Sequence, residues 1–315
     1  MIDFRYHLIS IIAVILALAV GIFAGSGFLG GPLLDDLRHR LDRIDATNTG
    51  LQSQIVDLHN QQSNYDAFVT AAEPYLVGGK LAGQPVVIIT FEGTDGRMVD
   101  GLTNELATAG ARVSTTITVT AKFALSSSVE RDQLALALGS NSGKPGDLRS
   151  QAAGELAGRI ASVLSGSSQA DPRIHAATQL EQLLDSLEKQ GFLDVAGGIS
   201  AQTVPVGADF VIAVGSDSPP PFDVLHFARR LAVELAGPKT GVVVASTTKS
   251  VWGVMASLRQ DPDASTTVAT VDDAETGIGR IAVALALADA DKGVIGQYGI
   301  GDRSNGIIPV PSPSP

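Results

Sequence analysis

Two polar segments near the end of the chain could contribute side chains to a functional site. Asp272 and Asp273 directly follow a predicted strand, where α/β folds place functional loops. The second segment, residues 293–301, is dense in glycine, which suits close backbone packing or a binding loop. We predict a candidate functional loop made of Asp272, Asp273, Arg280, Gln297 and Tyr298. The alternative is that one aspartate caps the next helix and that the other polar side chains are solvated.

Known catalytic and nucleotide-binding motifs are not matched. Residues 139–145 resemble a phosphate-binding loop, but their glycines are too close together and proline follows the lysine, which indicates an interhelical turn. Residues 277–282 match the GxGxxA pattern formally, yet too little chain follows for a second βαβ half, which favours a plain helix start. The GxSxG and HExxH motifs do not occur. We predict that the chain is not an enzyme and has no cofactor.

The sequence offers few ligands for a metal ion. It has no cysteine, three methionines and five histidines, and no two histidines stand at metal-ligand spacing. Because Cu(I) prefers thiolate and thioether ligands, the composition does not support a copper site, and any metal ligands stay unknown. Asp223 and His226 could form a carboxylate–imidazole pair, with a solvated or helix-supporting pair as the alternative.

The negative charge is spread along the whole chain. The formal net charge is −11, and acidic residues outnumber basic ones both before and after Lys80. Such a surface repels phosphate backbones and anionic lipid headgroups. We therefore expect no nucleic-acid partner, and attachment to a membrane requires an apolar segment.

The segment from Leu8 to Leu29 contains no ionisable side chain. About 22 residues at ~1.5 Å each make a helix of ~33 Å, enough to cross a hydrocarbon core of ~30 Å. We predict a membrane anchor over residues 1–31, which makes the protein single-pass. A cleavable signal peptide is the alternative, because residues 17–19 fit a small-x-small cleavage site, although apolar sequence continues beyond them.

Charges on either side of the anchor favour a cytoplasmic N-terminus. Arg5 precedes the anchor and Asp35 and Asp36 follow it, and positive residues tend to stay on the cytoplasmic side. The bulk of the chain would then be extracytoplasmic, in the cell envelope. Gly21 and Gly25 belong to a stripe of small residues that could let two membrane helices approach closely, although glycine is common in such helices.

A heptad pattern over residues 32–73 predicts a coiled-coil stalk. Leucine at most d positions, with Asn48 at an a position, favours a parallel two-stranded coiled coil of fixed register and therefore a homodimer. The same stripe could instead dock on the chain's own α/β domain. Glu73-Pro74 and Gly78-Gly79 are expected to end the helix. The predicted oligomerisation residues are Gly21, Gly25, Leu34, Leu37, Leu41, Ile44, Asn48, Leu51, Ile55 and Leu58, and the seam continues through Gln62, Tyr65 and Val69.

Apolar runs rich in β-branched residues alternate with helical stretches over residues 80–302. We predict strands at residues 85–91, 210–214, 241–245 and 267–271, in a mainly parallel, Rossmann-like sheet flanked by helices. Residues 122–190 predict a helical insertion, and residues 303–315 a disordered proline- and serine-rich tail. The predicted fold class is therefore α/β, with an N-terminal transmembrane helix and a coiled-coil helix before the sheet.

Two long motifs carry a resemblance to a known family. The N-terminal motif includes Arg5, His7, Ser10, Ala13, residues 16–19, Gly21 and residues 25–27. The C-terminal motif includes residues 270–273, residues 279–281, residues 284–287 and residues 296–299. Together with the order of segments, they resemble the actinobacterial MctB family, which is named for mycobacterial copper transport and includes SteB-like envelope proteins.

The resemblance implies a place in the actinobacterial cell envelope and a role in copper transport or homeostasis. A copper ligand is expected on the basis of this resemblance alone. Similar proteins called SteB imply a role in septal or envelope assembly with a membrane partner, SteA. A single membrane helix cannot line a pore unless several subunits assemble. Two hypotheses stay open: a non-enzymatic role in copper transport or homeostasis, and a structural module that dimerises or pairs with a SteA-like membrane protein.

Overall fold

The computed structural model describes residues 4–28, 30–141, 143–164, 170–200 and 203–310, and the side chains of residues 26–35 and 170–173 lie outside that description. Two compact units divide the chain, the first ending at Ala67 and the second, here called the head, beginning at Phe68. Three predicted features fall outside the described part: Leu29, the side chain of Leu34 and tail residues 311–315.

The first helix, α1 (Phe4–Phe28), exposes its described side chains. Its apolar part, Phe4–Gly25, holds 22 residues and is the one stretch within the described ranges that is helical, long and apolar enough to cross a membrane. The helix runs without a break through residues 17–19, where the signal-peptide alternative places its cleavage site. Length and composition therefore agree with the predicted membrane helix, although a signal sequence near the N-terminus has the same properties.

The second helix, α2 (Gly30–Val77), is 48 residues long. It starts at Gly30, so the predicted break between anchor and stalk lies within its first turn. Pro74, which was expected to end the helix, lies inside its last turn. The helix closes at Gly78, whose N–H donates to the Pro74 carbonyl at 3.1 Å, and Gly79 then leaves at φ +74°, a conformation that favours glycine.

The predicted heptad seam of α2 is exposed in the single chain. Asn48 is exposed as well, and so is Tyr65 near the end of the seam. Val69 differs, because it is 7% exposed and belongs to the core of the head. Val69, the last predicted a position, therefore packs inside its own chain and is not available for a coiled coil. The six apolar seam residues before it with described side chains are 47% to 63% exposed: Leu37, Leu41, Ile44, Leu51, Ile55 and Leu58.

The head is built around one seven-stranded sheet in the order β3-β2-β1-β4-β5-β6-β7. All neighbouring strands are parallel except β2 and β3, which are antiparallel. The four predicted strands are present, and β2, β3 and β7 were not predicted. The strands are β1 (Pro85–Phe91), β2 (Arg112–Val119), β3 (Leu193–Val195), β4 (Asp209–Val214), β5 (Val242–Ser246), β6 (Ala269–Val271) and β7 (Gln297–Tyr298).

Helices cover both faces of the sheet. Between β2 and β3 the described residues form a short 3-10 helix and three α-helices, in the stretch where a helical insertion was predicted. The helices of the head are α3 (Gly96–Thr108), α4 (Ser128–Ala137), α5 (Pro145–Leu164), α6 (Ala170–Lys189), α7 (Val224–Leu235), α8 (Val254–Gln260), α9 (Pro262–Thr267) and α10 (Gly277–Ala290). After β7, Asn305 is hydrogen-bonded to Gln297 of that strand and Gly306 to Gly299 just beyond it, so the predicted disordered tail does not begin at residue 303.

Alternating side chains of β1 separate two apolar cores. Val87, Ile89 and Phe91 face one core, which contains a cluster of five phenylalanines, and Val86 and Ile88 face the other. In the phenylalanine cluster, the ring centroids of Phe123 and Phe227 lie 5.0 Å apart in an edge-to-face arrangement. The second core contains apolar residues of α3, of α10 and of the end of α2.

The strand order places a topological switch between β1 and β4. From β1 the chain moves outward to β2 and β3, and then returns to β4 and continues outward on the other side. The loops after β1 and β4 therefore diverge at the carboxyl edge of the sheet. Open α/β sheets bind ligands in the crevice that this divergence creates.

Candidate functional site

A buried ion pair joins α8 to the loop after β6. Arg259 is 6% exposed and Asp272 is 8% exposed. Nη1 of Arg259 lies 2.5 Å from Oδ2 of Asp272, and Nε of Arg259 donates to Thr270 Oγ1 at 2.8 Å. A buried carboxylate requires such partners, because an isolated charge in an apolar interior is very costly. The ion pair therefore holds Asp272, one of the predicted site residues, against α8 at the carboxyl end of β6.

The carboxylate of Asp272 also holds the glycine-dense loop that was predicted to be functional. Its Oδ1 accepts the N–H of Ile300 at 2.8 Å, and its Oδ2 accepts the N–H of Gly301 at 2.9 Å. Gly299 has φ +110°, and a Cβ at that residue would lie 2.0 Å from Asp272 Oδ1. Glycine is therefore required for the loop to approach the carboxylate this closely.

Gln297 and Tyr298 complete this network from β7. The side-chain amide of Gln297 donates to the carbonyls of Ser265 and Val268 at 3.0 and 3.1 Å. Its Oε1 accepts the hydroxyl of Thr270 at 2.6 Å. The carbonyl of Tyr298 accepts from Nη2 of Arg259 at 2.5 Å. The structure thus brings Asp272, Gln297 and Tyr298 together: Arg259 bonds Asp272 and Tyr298 directly, and Thr270 links it to Gln297.

Asp273 lies next to this network but points elsewhere. It is 2% exposed, and its Oδ1 has no hydrogen-bond partner in the described part of the chain. Burial, and after it the nearby charges of Asp272 and Glu275, raise the pKa of its carboxyl to about 6. The alternative prediction that an aspartate caps the next helix is wrong. Thr276 is the N-cap of α10, and its hydroxyl accepts the N–H of Gly279 at 3.0 Å.

Arg280, the remaining predicted site residue, lies on the other side of α10's first turn. Its Nη1 donates to the Glu275 carbonyl at 3.0 Å. Its side chain crosses α3 at Gly101, where a Cβ would lie 2.8 Å from Arg280 Cδ. The structure therefore separates Arg280 from the Asp272 network.

The formal GxGxxA pattern serves helix packing at this position. A Cβ at Gly279 would lie 2.0 Å from the Asp273 carbonyl oxygen, and one at Gly277 would lie 2.8 Å from Val69 Cγ1. Both glycines are needed because α10 begins in close contact with neighbouring backbone and side chains.

Two clefts open at the carboxyl edge of the sheet, and they share Thr247. The first, of about 490 Å³, lies between the start of α8 and the loop after β7, with Arg259 and Asp272 in its wall. The second, of about 480 Å³, lies at the topological switch. Its lining residues follow β1, β4, β5 and β6 in turn and are Gly93, Asp95, Arg97, Ser216, Asp217, Ser218, Thr247, Lys249 and Glu275.

The acidic groups of the switch cleft are largely used by the protein itself. Asp95 caps α3 by accepting the N–H of Arg97 at 2.9 Å. Both carboxylate oxygens of Glu275 accept the N–H of Thr248 at 3.1 Å. Within the described residues no group of three His, Cys, Asp or Glu side chains could hold a metal ion. The clefts are lined by charged groups and hydroxyls, which suit small polar molecules better than apolar ones.

Asp223 and His226 form the predicted carboxylate–imidazole pair, with His226 Nδ1 2.8 Å from Asp223 Oδ1. Asp223 is the N-cap of α7 and accepts the backbone N–H of His226. The pair therefore supports a helix start, as the simpler alternative held.

Arg259 was missed by sequence reasoning. It lies on α8, and an arginine on a short helix is normally solvated. Its burial follows from tertiary contacts with β6 and β7, for which the local sequence carries no signal.

These observations define a class of protein: a seven-stranded, mostly parallel α/β domain on a chain whose first helix is apolar and long enough to cross a membrane. Residues 1–309 match the family described as "Copper transport outer membrane protein, MctB". The chain belongs to this family.

Mycobacterial relatives match almost the whole length of the chain. It is 31% identical over 313 residues to the Copper transporter MctB of Mycobacterium tuberculosis (strain H37Rv). The aligned residues make up 96% of this chain and 97% of the relative. The corresponding protein of Mycobacterium bovis gives the same values. Identity to the Copper transporter MctB of Mycobacterium leprae is 30% over 324 residues, with 98% of this chain and 99% of the relative covered.

Proposed function

We propose that this chain is a non-enzymatic, membrane-anchored protein of the cell envelope that acts in copper transport or homeostasis. The observation that carries the proposal is the match along almost the entire chain to relatives named copper transporters. The anchor is α1, whose apolar part of 22 residues suits a membrane span. Arg5 before the span and Asp35 and Asp36 after it favour an extracytoplasmic head.

Copper, in this proposal, is the cargo of an assembly and is not held by the head alone. The chain has no cysteine, and of its methionines Met98 is 1% exposed within the second core. Cu(I) would need accessible sulfur ligands, which the head does not present as a cluster. The chain would therefore act by organising other components or several copies of itself.

Assembly is supported by α2. Its apolar seam is about half exposed, and burial of such surface is the main driving force of association. We propose a parallel homodimer in which the seam pairs with that of a second copy, and Asn48 fixes the register. In α1, a Cβ at Gly21 or Gly25 would meet nothing within 4 Å, so this stripe leaves room for a second helix.

A second candidate function is a structural role in septal or envelope assembly, with α2 pairing with a SteA-like membrane protein. The exposed seam favours it equally, because a heptad stripe can pair with a different chain, and it does not require copper ligands.

A strain that lacks the gene separates the two functions. The copper proposal predicts higher cellular copper and lower copper tolerance, restored by the full chain. A chain whose first helix is replaced by a cleavable signal peptide should reach the same compartment without restoring tolerance. Unchanged copper content together with misplaced septa would reject the copper role and favour the second candidate.

A further inference from the structure

Glu105 on α3 is buried without a hydrogen-bond partner for Oε1 in the described ranges. The residue is 3% exposed, and its neighbours Leu102 and Leu106 are fully buried in the second core. An ionised carboxylate at such a position loses its hydration without compensation. The site therefore favours the neutral, protonated carboxyl.

The last turns of α2 pack on the same core. Val69 and Val77 are 7% and 0% exposed, and both belong to the second core. Gly277 permits the contact, because a Cβ there would lie 2.8 Å from Val69 Cγ1. We call this region the α2 seat: Val69 and Val77 pack in the second core, Val69 beside Gly277, and the charge of Glu73 acts on Glu105.

Two charged groups face Glu105 from the helices around it. Burial is the largest cause that raises the pKa of Glu105, to about 7. The carboxylate of Glu73, on α2, contributes to this rise, and the guanidinium of Arg280, on α10, opposes it. Arg280 Nη1 donates to the Glu275 carbonyl at 3.0 Å, so the arginine is held at the start of α10. When Glu105 ionises, it therefore gains a repulsive partner on α2.

We propose that the α2 seat is a proton-dependent joint: protonated Glu105 keeps the end of α2 packed on the head, and ionised Glu105 loosens it. The repulsion acts directly between α3 and the last turns of α2, because Glu73 belongs to the seat itself. The ligand that controls this contact is thus a proton on Glu105, and the element that moves is the end of α2.

The direction of the effect follows from proton linkage. A carboxyl with a pKa of about 7 when seated and 4.5 when exposed binds more protons in the seated form. The seat is therefore strongest below about pH 4.5, weakens as the pH rises, and is weakest above about pH 7. The equilibrium constant for loosening the end of α2 from the head should rise about 30-fold between about pH 5.5 and about pH 8.5.

Hydrogen exchange of the full chain in detergent tests the joint. Protection factors, corrected for the intrinsic pH dependence of exchange, are measured for amides of residues 70–77. In the unmodified chain they should fall by about 30-fold between about pH 5.5 and about pH 8.5. Glu105→Gln should give a flat profile, and Glu73→Gln should move the midpoint to lower pH because a repulsive charge is lost.

Asp100→Asn provides a matched control, because Asp100 lies on the same helix and is exposed. It should keep the profile of the unmodified chain. Flat protection in the unmodified chain, or a pH dependence that survives Glu105→Gln, would overturn the proposal. If Glu105→Gln does not fold, the Glu73→Gln midpoint decides: an unshifted midpoint also overturns it.

Discussion

Arg259 and Asp272 hold the end of the sheet together through one buried ion pair, with Nη1 2.5 Å from Oδ2. Arg259 reaches three further acceptors, the hydroxyl of Thr270 and the carbonyls of Tyr298 and Asp302. Asp272 accepts two N–H groups of the loop after β7. The two-residue strand β7 is thus held by its pairing with β6 and by side chains from α8 and from the loop after β6.

Removal of Arg259 should therefore unfold this edge. Arg259→Met leaves Asp272 as a buried carboxylate without its counter-ion, which costs about 3–5 kcal/mol. Chemical denaturation measures the loss of unfolding free energy. Arg303→Met, at an exposed residue of the neighbouring loop, is the control and should change stability by less than about 0.5 kcal/mol. A loss below about 1 kcal/mol for Arg259→Met would show that the pair is not required.

Asp273 should destabilise the folded head at neutral pH. Burial, together with the charges of Asp272 and Glu275, raises its pKa from 3.8 to about 6, so the folded state is penalised increasingly as the pH rises through that interval. Asp273→Asn removes the charge and should raise the unfolding free energy above about pH 6 by on the order of 1–3 kcal/mol, with little change below about pH 4. Denaturant titrations at both pH values measure the difference.

Asp302→Asn is the matched control for that measurement, since Asp302 is exposed. Its unfolding free energy should follow the unmodified chain at both pH values. If Asp273→Asn and the unmodified chain are equally stable above about pH 6, the ionised Asp273 carboxylate does not destabilise the fold, and the prediction is contradicted.

The core strands could be predicted from the sequence, and the edges of the sheet could not. β1 and β4 are continuous apolar runs because helices cover both of their faces. β2 was missed because Thr and Ser alternate with its apolar residues and one of its faces is only half-buried. β7 has two residues, too few for any periodic signal.

The candidate site could likewise be predicted only where its residues carry a local sequence signal. Glycine density and the position after β6 identified Asp272, Gln297 and Tyr298, because both are local features of the chain. Arg259 could not be identified, since its burial depends on contacts with residues far along the sequence. Arg280 was predicted in the same cluster, but its side chain lies against Gly101 of α3 and donates to the Glu275 carbonyl.

Asn48 should control the precision of the proposed stalk rather than its strength. A buried asparagine at an a position costs stability but restricts register and oligomer number. Asn48→Val is therefore expected to tighten self-association and to broaden the distribution of oligomers. Sedimentation of the full chain in detergent distinguishes the species. A monomer before and after the substitution would refute the pairing of α2 with a second copy.

Cross-linking in membranes tests the proposed assembly most directly. The chain has no cysteine, so a single introduced thiol reports one position. Leu51→Cys and Leu58→Cys lie at d positions of the seam, and Asn60→Cys lies at an outward position as the control. A parallel pair in register predicts rapid disulfide-linked dimers for both seam variants and little for Asn60→Cys. Seam variants that stay monomeric, or that cross-link only to another protein, would contradict the homodimer.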